Sequence, residues 1–500
     1  MANMIDLPAV ADDDEAQWLR SLTETPPPEV LIVSDLHLGC GRDRTTGRFV
    51  RAENFLADEQ FAALLGFYRE AARRGALLVL NGDSFDFLRI TGVPRRRDEL
   101  EAWSEALARL GVDLSPEQLA ASISTKECQF GLRTNDFKSV WKLHRIVEGH
   151  EGFFTALAGW VAAGGVLLFV KGNHDLEIHW PLVRRAIRAE LVRRGVAAHS
   201  AGRGIRFCDT WVRMANLYIE HGHRFEPATA VEGPVTLPRE PEQLNLPLGS
   251  FVNRYLINPI ERIEPFIDNT KPIEDLLRTL VRQHPLRVFG ILWRSWRLLL
   301  RAAQSRQWRQ GLACTLFFGS LAVPLLTVLV IALVLAAPVV GARIFALFGN
   351  ASWVFGAAGL VFPYLAGFLR DAFPPRLPAV GEDDFAFGIY GALKERAAEP
   401  VTGTRYGVVG HTHVQDAQSL PPMGGAPALY LNTGTWVPLW QADRPDLAGR
   451  TLHPFVRFTM DASGAYRHEY REWDWSAGRP ALSTILEPVA ARVRRRRDRR

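Results

Sequence analysis

Five hundred residues exceed one ordinary domain, and 47% hydrophobic with 23% charged residues is a globular composition, neither disordered nor fibrous. The formal charge of +5 is uneven, because Arg492–Arg500 hold seven arginines against the single Asp498, leaving the rest close to neutral. The four cysteines, Cys40, Cys128, Cys208 and Cys314, are far apart and without CxxC spacing, so neither a disulfide framework nor a zinc knot is indicated.

The N-terminal stretch MANMIDLPAVADDDEAQW is acidic and lacks the basic region and long apolar core of a signal peptide. Residues 1–28 therefore read as a polar leader, with the following part expected in the cytoplasm. VLIVSDLHLG opens with consecutive aliphatic residues, which predicts a buried strand feeding a loop at Ser34–Gly39. The pattern recurs in ALLVLNGDSFD (Ala76–Asp86), VLLFVKGNHD (Val166–Asp175) and RYGVVGHTH (Arg405–His413), with a shorter version in LYIEHGH (Leu217–His223). Apolar residues at mixed three and four spacing predict helices over Arg97–Leu110, Asp136–Ala162 and Pro181–Arg194. ALYLNTGTW, HPFVRFTMD and YRHEYREWD predict further strands. The fold class is α/β, and polar residues that follow core strands gather at one sheet edge, where open sheets build their sites.

Between His223 and His411 the composition changes. Gly311–Ala342 has no charged residue over 32 positions and Ile344–Leu369 none over 26, whereas about 20 apolar residues suffice to cross a bilayer. Two membrane spans are expected, the alternative being a buried helical hairpin. Upstream, eight arginines from Arg278 to Arg309 alternate with apolar residues, Trp293, Trp296 and Trp308, a pattern suited to an anionic membrane surface or to a solvated helix. Basic residues lie on the flanks while the connecting loop has only Arg343, so the flanking domain is expected at the cytoplasmic face of the cell inner membrane. The expected organisation is a leader (1–28), a domain in two parts (29–230 and 370–486), a helical cap (231–310), a transmembrane hairpin (311–369) and a basic tail (487–500). The tail is either solvated or bound to anionic lipid; no specific nucleic-acid partner is expected.

The loop residues able to bind metal are Asp35, His37, Asp83, Asn173, His221, His411 and His413, with His174 beside them. Oxygen and imidazole donors without thiolate suit divalent manganese foremost, or iron or zinc. Two ions need one shared carboxylate and several ligands each, and seven candidates meet that demand. In this order, SDLHLG, NGDSFD, KGNHD, EHGH and GHTH resemble the motif series of the calcineurin-like metallophosphoesterases over Val30–Phe225 and Arg405–Trp436.

The resemblance implies a β-sandwich flanked by helices and hydrolysis of a phosphoester by metal-bound hydroxide attacking phosphorus in line. It implies that Asp35, His37 and His413 hold one ion, Asn173, His221 and His411 the other, and that Asp83 bridges them. His174 would protonate the leaving oxygen and Asp86 would orient it. His223 is an alternative to His221 or stands behind it, and Asp175, Glu177 and His179 read as helix-start or surface residues.

A narrower resemblance, to UDP-2,3-diacylglucosamine hydrolases, rests on SDLHL, the HG pair, GHTH and an inserted cap; those enzymes have arginine where this chain has His174. It implies a lipid-linked or nucleotide-linked phosphate. An anchored phosphatase or phosphodiesterase for soluble substrates and a non-catalytic membrane scaffold are the alternatives. Arg89 and Arg95–Arg97 either hold a substrate phosphate or form a solvated charge run.

Overall fold

The computed structural model describes residues 12–261 and 404–483, apart from 424–425, 442–444 and 446–447, with a few isolated positions between 266 and 291. The chain divides into two units, Met1–Ser250 with Val380–Arg500, and Phe251–Ala379. The expected transmembrane hairpin at 311–369 and the tail at 487–500 lie outside the described residues, as does most of the basic stretch 278–309. Among the described residues no helix is long and apolar enough to cross a membrane.

The first unit is a mixed α/β fold. The strands of its two main sheets are β1 (Glu29–Val33), β2 (Leu77–Asn81), β3 (Val166–Val170), β4 (Ile205–Cys208), β5 (Trp211–Met214), β6 (Leu217–Glu220), β7 (Tyr406–Val409), β8 (Gln415–Met423), β9 (Ala426–Thr433), β10 (Pro454–Met460), β11 (Tyr466–Asp474) and β12 (Arg479–Leu482). One sheet has the order β12-β11-β10-β1-β2-β3-β4, the other β8-β9-β7-β6-β5. Strands β1 to β4 are mutually parallel, as are β6, β7 and β9.

Alternation along each strand sorts the core. Val30, Ile32, Leu77, Val79, Leu168 and Val170 pack in one cluster with Met214, Leu217, Ile219, Val408 and Leu431 of the second sheet. Leu31, Val33, Leu78, Leu80, Leu167 and Phe169 belong to the opposite cluster with the helices. Strands covered on both faces need apolar residues at every position, which is why these segments run without alternation.

The helices that matter to the site are α1 (Asp12–Glu24), α2 (Asp58–Phe67), α3 (Arg97–Ala108), α4 (Asp136–Gly149), α5 (Glu151–Ala162) and α6 (Pro181–Arg193). The expected polar leader thus carries α1, whose Trp18, Leu19 and Leu22 join the inter-sheet cluster. Its buried Glu15 pairs with Arg188 and Arg206. The expected cap boundary at 231 moves as well, since residues 231–250 belong to the first unit. There Gln243 Oε1 accepts from both the amide and the hydroxyl of Thr134 at 3.1 Å.

The helix expected over Asp136–Ala162 is two helices meeting at His150, where φ is −129°. The break lets a loop dock: a Cβ on Gly149 would stand 1.9 Å from the carbonyl oxygen of Cys40. The fully buried His150 imidazole lies 3.1 Å from Asp58 and 3.5 Å from Glu53. Glu53 in turn accepts from the amides of Gly39 (3.1 Å), Gly41 (2.5 Å), Asn54 (3.0 Å) and Phe55 (3.0 Å). This network fixes the loop that leaves the SDLHLG segment.

Burial opposes charge on His150, yet Glu53 and Asp58 raise its pKa from 6.5 to about 9. Burial opposes charge on Glu53 too, but His150 and the amides bring its pKa below 4.5. The His150 contribution to stability is therefore complete below pH 6.5 and is lost as pH rises through about 9, while that of Glu53 is lost on acidification below pH 4.5. His150→Gln is expected to lower unfolding free energy near pH 6.5 by about 3 kcal/mol, the cost of breaking a buried pair. The gap to wild type should shrink by pH 9.5 in urea titrations; a gap independent of pH would contradict this account.

Candidate metal centre

Five parallel strands from two sheets, β1, β2, β3, β6 and β7, release the chain at one edge. The released loops are stitched together by backbone bonds: Asp35 N to Gly82 O (3.2 Å), His37 N to Asp83 O (2.8 Å) and Gly410 N to His221 O (3.0 Å). The sheets are joined there by Asn81, whose amide donates to Glu220 O (2.9 Å) and whose carbonyl accepts from His221 Nδ1 (2.9 Å).

The backbone is strained where the chemistry lies. Asp35, His37, Asp83, His411 and His413 all have φ between 49° and 72°. Such left-handed conformations in residues with side chains cost on the order of 1 kcal/mol each and persist only where surroundings hold them. The holding bonds are visible: His411 N donates to both carboxylate oxygens of Asp35 at 3.0 Å, and His174 N donates to Asp83 Oδ1 at 2.8 Å.

Three overlapping groups result, Asp35–His37–His413, His37–Asp83–His174 and Asp83–His221–His411, each with its ligand atoms within 4.8 Å of one another. These groups could hold metal. Nε2 of His37 is 3.0 Å from Nε2 of His413, and Nε2 of His221 is 3.1 Å from Asp83 Oδ2. Because His221 Nδ1 must donate to the Asn81 carbonyl, Nε2 of the neutral ring is a lone pair facing a carboxylate. Asn173 Oδ1 is buried with no hydrogen-bond partner among the described residues. Acceptors turned toward acceptors, and a buried orphan beside them, fit a divalent cation.

The electrostatics agree with that fit. Burial and Asp83 push the Asp175 carboxyl up to about 7, and burial raises Asp35. Burial also opposes ionisation of Asp83, but His221 and His174 hold its pKa well below the carboxylate range. For His221, burial is outweighed by Asp83 and Asp35, which raise its pKa to about 9. Protons on imidazole and carboxyl thus balance charge that a cation would otherwise neutralise.

All nine residues named for the site from sequence gather here, with additions and corrections. Asp86 Oδ2 contacts not only His174 Nδ1 (3.1 Å) but also His37 Nδ1 (3.3 Å) and Arg89 Nε (2.9 Å). Arg89 is therefore buried against Asp86, unsuited to holding a substrate phosphate, while Arg96 and Arg97 are exposed and paired with Asp98 and Glu101. Asp175 and Glu177 do start a helix, the 3-10 turn Leu176–His179, but they are fully buried rather than on the surface. Asp175 accepts from the amides of Gly172 (2.6 Å) and Ser84 (2.9 Å), and Glu177 pairs with buried Lys142 at 2.9 Å. His223 belongs to none of the three groups; its ring centre is 5.5 Å from that of His221, and its Nδ1 is buried without a hydrogen-bond partner among the described residues. Burial, with His221 and His411 adding to it, holds its pKa well below 6.5.

Sequence reading did not single out Ser34, whose hydroxyl bonds Asp35 Oδ2 and Thr433, nor Thr435, whose hydroxyl donates to Asp35 O at 2.6 Å. The motif glycines did carry a signal. A Cβ on Gly82 would meet the His221 ring at 2.3 Å, on Gly172 Asp83 Oδ1 at 2.1 Å, and on Gly410 Asp35 Oδ2 at 2.3 Å. Gly172→Ala is expected to displace Asp83 and weaken Mn²⁺ binding at least ~10-fold, as disturbance of groups supporting a metal ligand does. Isothermal titration checks it, with circular dichroism to confirm folding; unchanged affinity would mean that Asp83 is not a ligand.

No protein-family model matches this chain and no curated protein matches it, so the functional reading rests on the side chains themselves.

Proposed function

We propose that the chain is a dinuclear metal-dependent phosphoester hydrolase of the calcineurin-like kind. The observation that carries the reading is the convergence of five sequence-distant loops on one strained edge, with Asp83 shared between two ligand groups. Asp35, His37 and His413 would hold one divalent ion, Asn173, His221 and His411 the other, with Asp83 between them. Manganese is the foremost candidate, iron or zinc the alternatives. When bound, such ions supply Lewis acidity toward a phosphoryl oxygen and activate water at neutral pH.

The remaining chemistry falls to the chain's own groups. With side chains 15% and 14% exposed, His174 and His413 are the more open imidazoles of the three groups, while Asp86 beside His174 is fully buried. Asp86 holds His174 at Nδ1, which directs proton transfer through Nε2 to the leaving oxygen. Because burial is outweighed by His174, His37 and Arg89, Asp86 stays ionised and favours the protonated imidazole. Asp86 also contacts His37, so it couples the proton donor to a ligand of the first ion.

The substrate reading rests on sequence, on the apolar segment 311–369 and the arginine-rich stretch before it. It favours a lipid-linked or nucleotide-linked phosphate at the cytoplasmic membrane face. The deciding experiment is a screen of phosphomonoesters, phosphodiesters and nucleotide diphospho-lipids with Mn²⁺ in detergent. Asp83→Ala should abolish turnover, whereas His174→Ala should keep its metal and lose ~10²–10⁴-fold in kcat. The loss should be smallest for good leaving groups such as nitrophenolate, which need no proton. Activity of Asp83→Ala equal to wild type would end the reading.

A further inference from the structure

Glu226 has no counterpart among the residues assigned above. After β6 the chain passes His221, turns at Gly222 in the left-handed region (φ 108°), and makes a short 3-10 turn over His223–Phe225. That turn brings Glu226 to the far side of His411. Its Oε2 lies 2.6 Å from His411 Nε2, and Thr229 Oγ1 lies 3.1 Å from the same nitrogen.

The hydrogen bonds fix the tautomer. A threonine hydroxyl has one proton, and that of Thr229 has acceptors apart from His411, the His223 carbonyl at 2.8 Å and the Glu226 carbonyl at 3.3 Å, so its oxygen is open to accept from His411. A carboxylate also accepts. Nε2 of His411 therefore carries hydrogen, and its coordinating lone pair is at Nδ1. Meanwhile the backbone of His411 is held by Asp35, and the preceding Gly410 amide by His221 O. His411 is thus gripped on its backbone by one candidate ligand and at its ring by Glu226.

We propose that Glu226 is a positioning residue that fixes the ring and tautomer of His411, so that Nδ1 faces the ion shared with Asp83 and His221. The inference rests on the metal-centre reading. Carboxylate partners of metal-bound histidine orient the ring and raise its basicity. A merely structural role is separated from this one by the melting temperature of the metal-free protein, which only loss of a structural contact would lower.

The test uses the full-length protein titrated with Mn²⁺, followed by equilibrium dialysis and electron paramagnetic resonance. Wild type is expected to bind two ions with a spin-coupled signal. Glu226→Ala should keep one ion at wild-type affinity, bind the second ~10–100-fold more weakly, and show the six-line spectrum of an isolated ion at intermediate loading. Metal-free melting temperatures should match. Glu226→Gln, whose amide oxygen accepts the same hydrogen bond, should restore most of the affinity. Should Glu226→Ala not fold, Glu226→Asp, which withdraws the carboxylate by one methylene, should report the same loss.

Two ions bound by Glu226→Ala as tightly as by wild type would overturn the inference while leaving the dinuclear centre intact. Equal loss in Glu226→Ala and Glu226→Gln would overturn the hydrogen-bond role. Wild-type protein that binds fewer than two ions would instead sink the dinuclear reading itself.

Discussion

Asp83 sits with almost no exposure among His37, His174 and His221, and its carboxylate is the point on which the rest of the first unit turns. An ionised carboxylate is stable so far from water only if cations or donors surround it. Here the His174 amide donates to it at 2.8 Å, and the His37 and His221 imidazoles stand beside it, where their protons or a bound cation balance its charge, each group delivered by a different strand end. Two sheets must therefore be packed so that β2, β3 and β6 end together, and Asn81 bridges them at that place. The inter-sheet hydrophobic cluster sets the spacing that allows it.

The same demand explains where conformational strain is placed. Side chains directed inward from tight loops need left-handed backbone at Asp35, His37, Asp83, His411 and His413. Glycines beside them leave room for their neighbours: Gly172 for the Asp83 carboxylate, Gly410 for that of Asp35. The loop after β1 is secured farther out by Glu53, which is neutralised by His150 at the junction of α4 and α5. A helix break some distance from the candidate centre is thus part of what holds His37 in place.

Proposed chemistry and support are closely interleaved here. Asp86 touches both a candidate ligand and the candidate proton donor, while Arg89 offsets its charge. Glu226 stands in a comparable relation to His411 on the opposite side. Carboxylates behind imidazoles fix which ring nitrogen carries hydrogen, and this is how a protein presents lone pairs to a common centre.

Strands β1, β2, β3, β6 and β7, the mixed α/β class and the candidate residues that the loops bring together were legible in the sequence, because unbroken aliphatic runs ending in Asp, Asn, His and Gly are local patterns. The helical content of Asp12–Glu24 was obscured by its acidic residues, and the break at His150 by continuous apolar periodicity. Partners without a local signature were not legible: Ser34 with Thr433, Glu53 with His150, Asp175 beneath Asp83, Glu226 behind His411. Composition and spacing by themselves determined which side chains are chemically able to meet. Only the packing of the two sheets decided which atoms face one another, because hydrogen-bond direction, tautomer and charge balance depend on neighbours brought from distant parts of the chain.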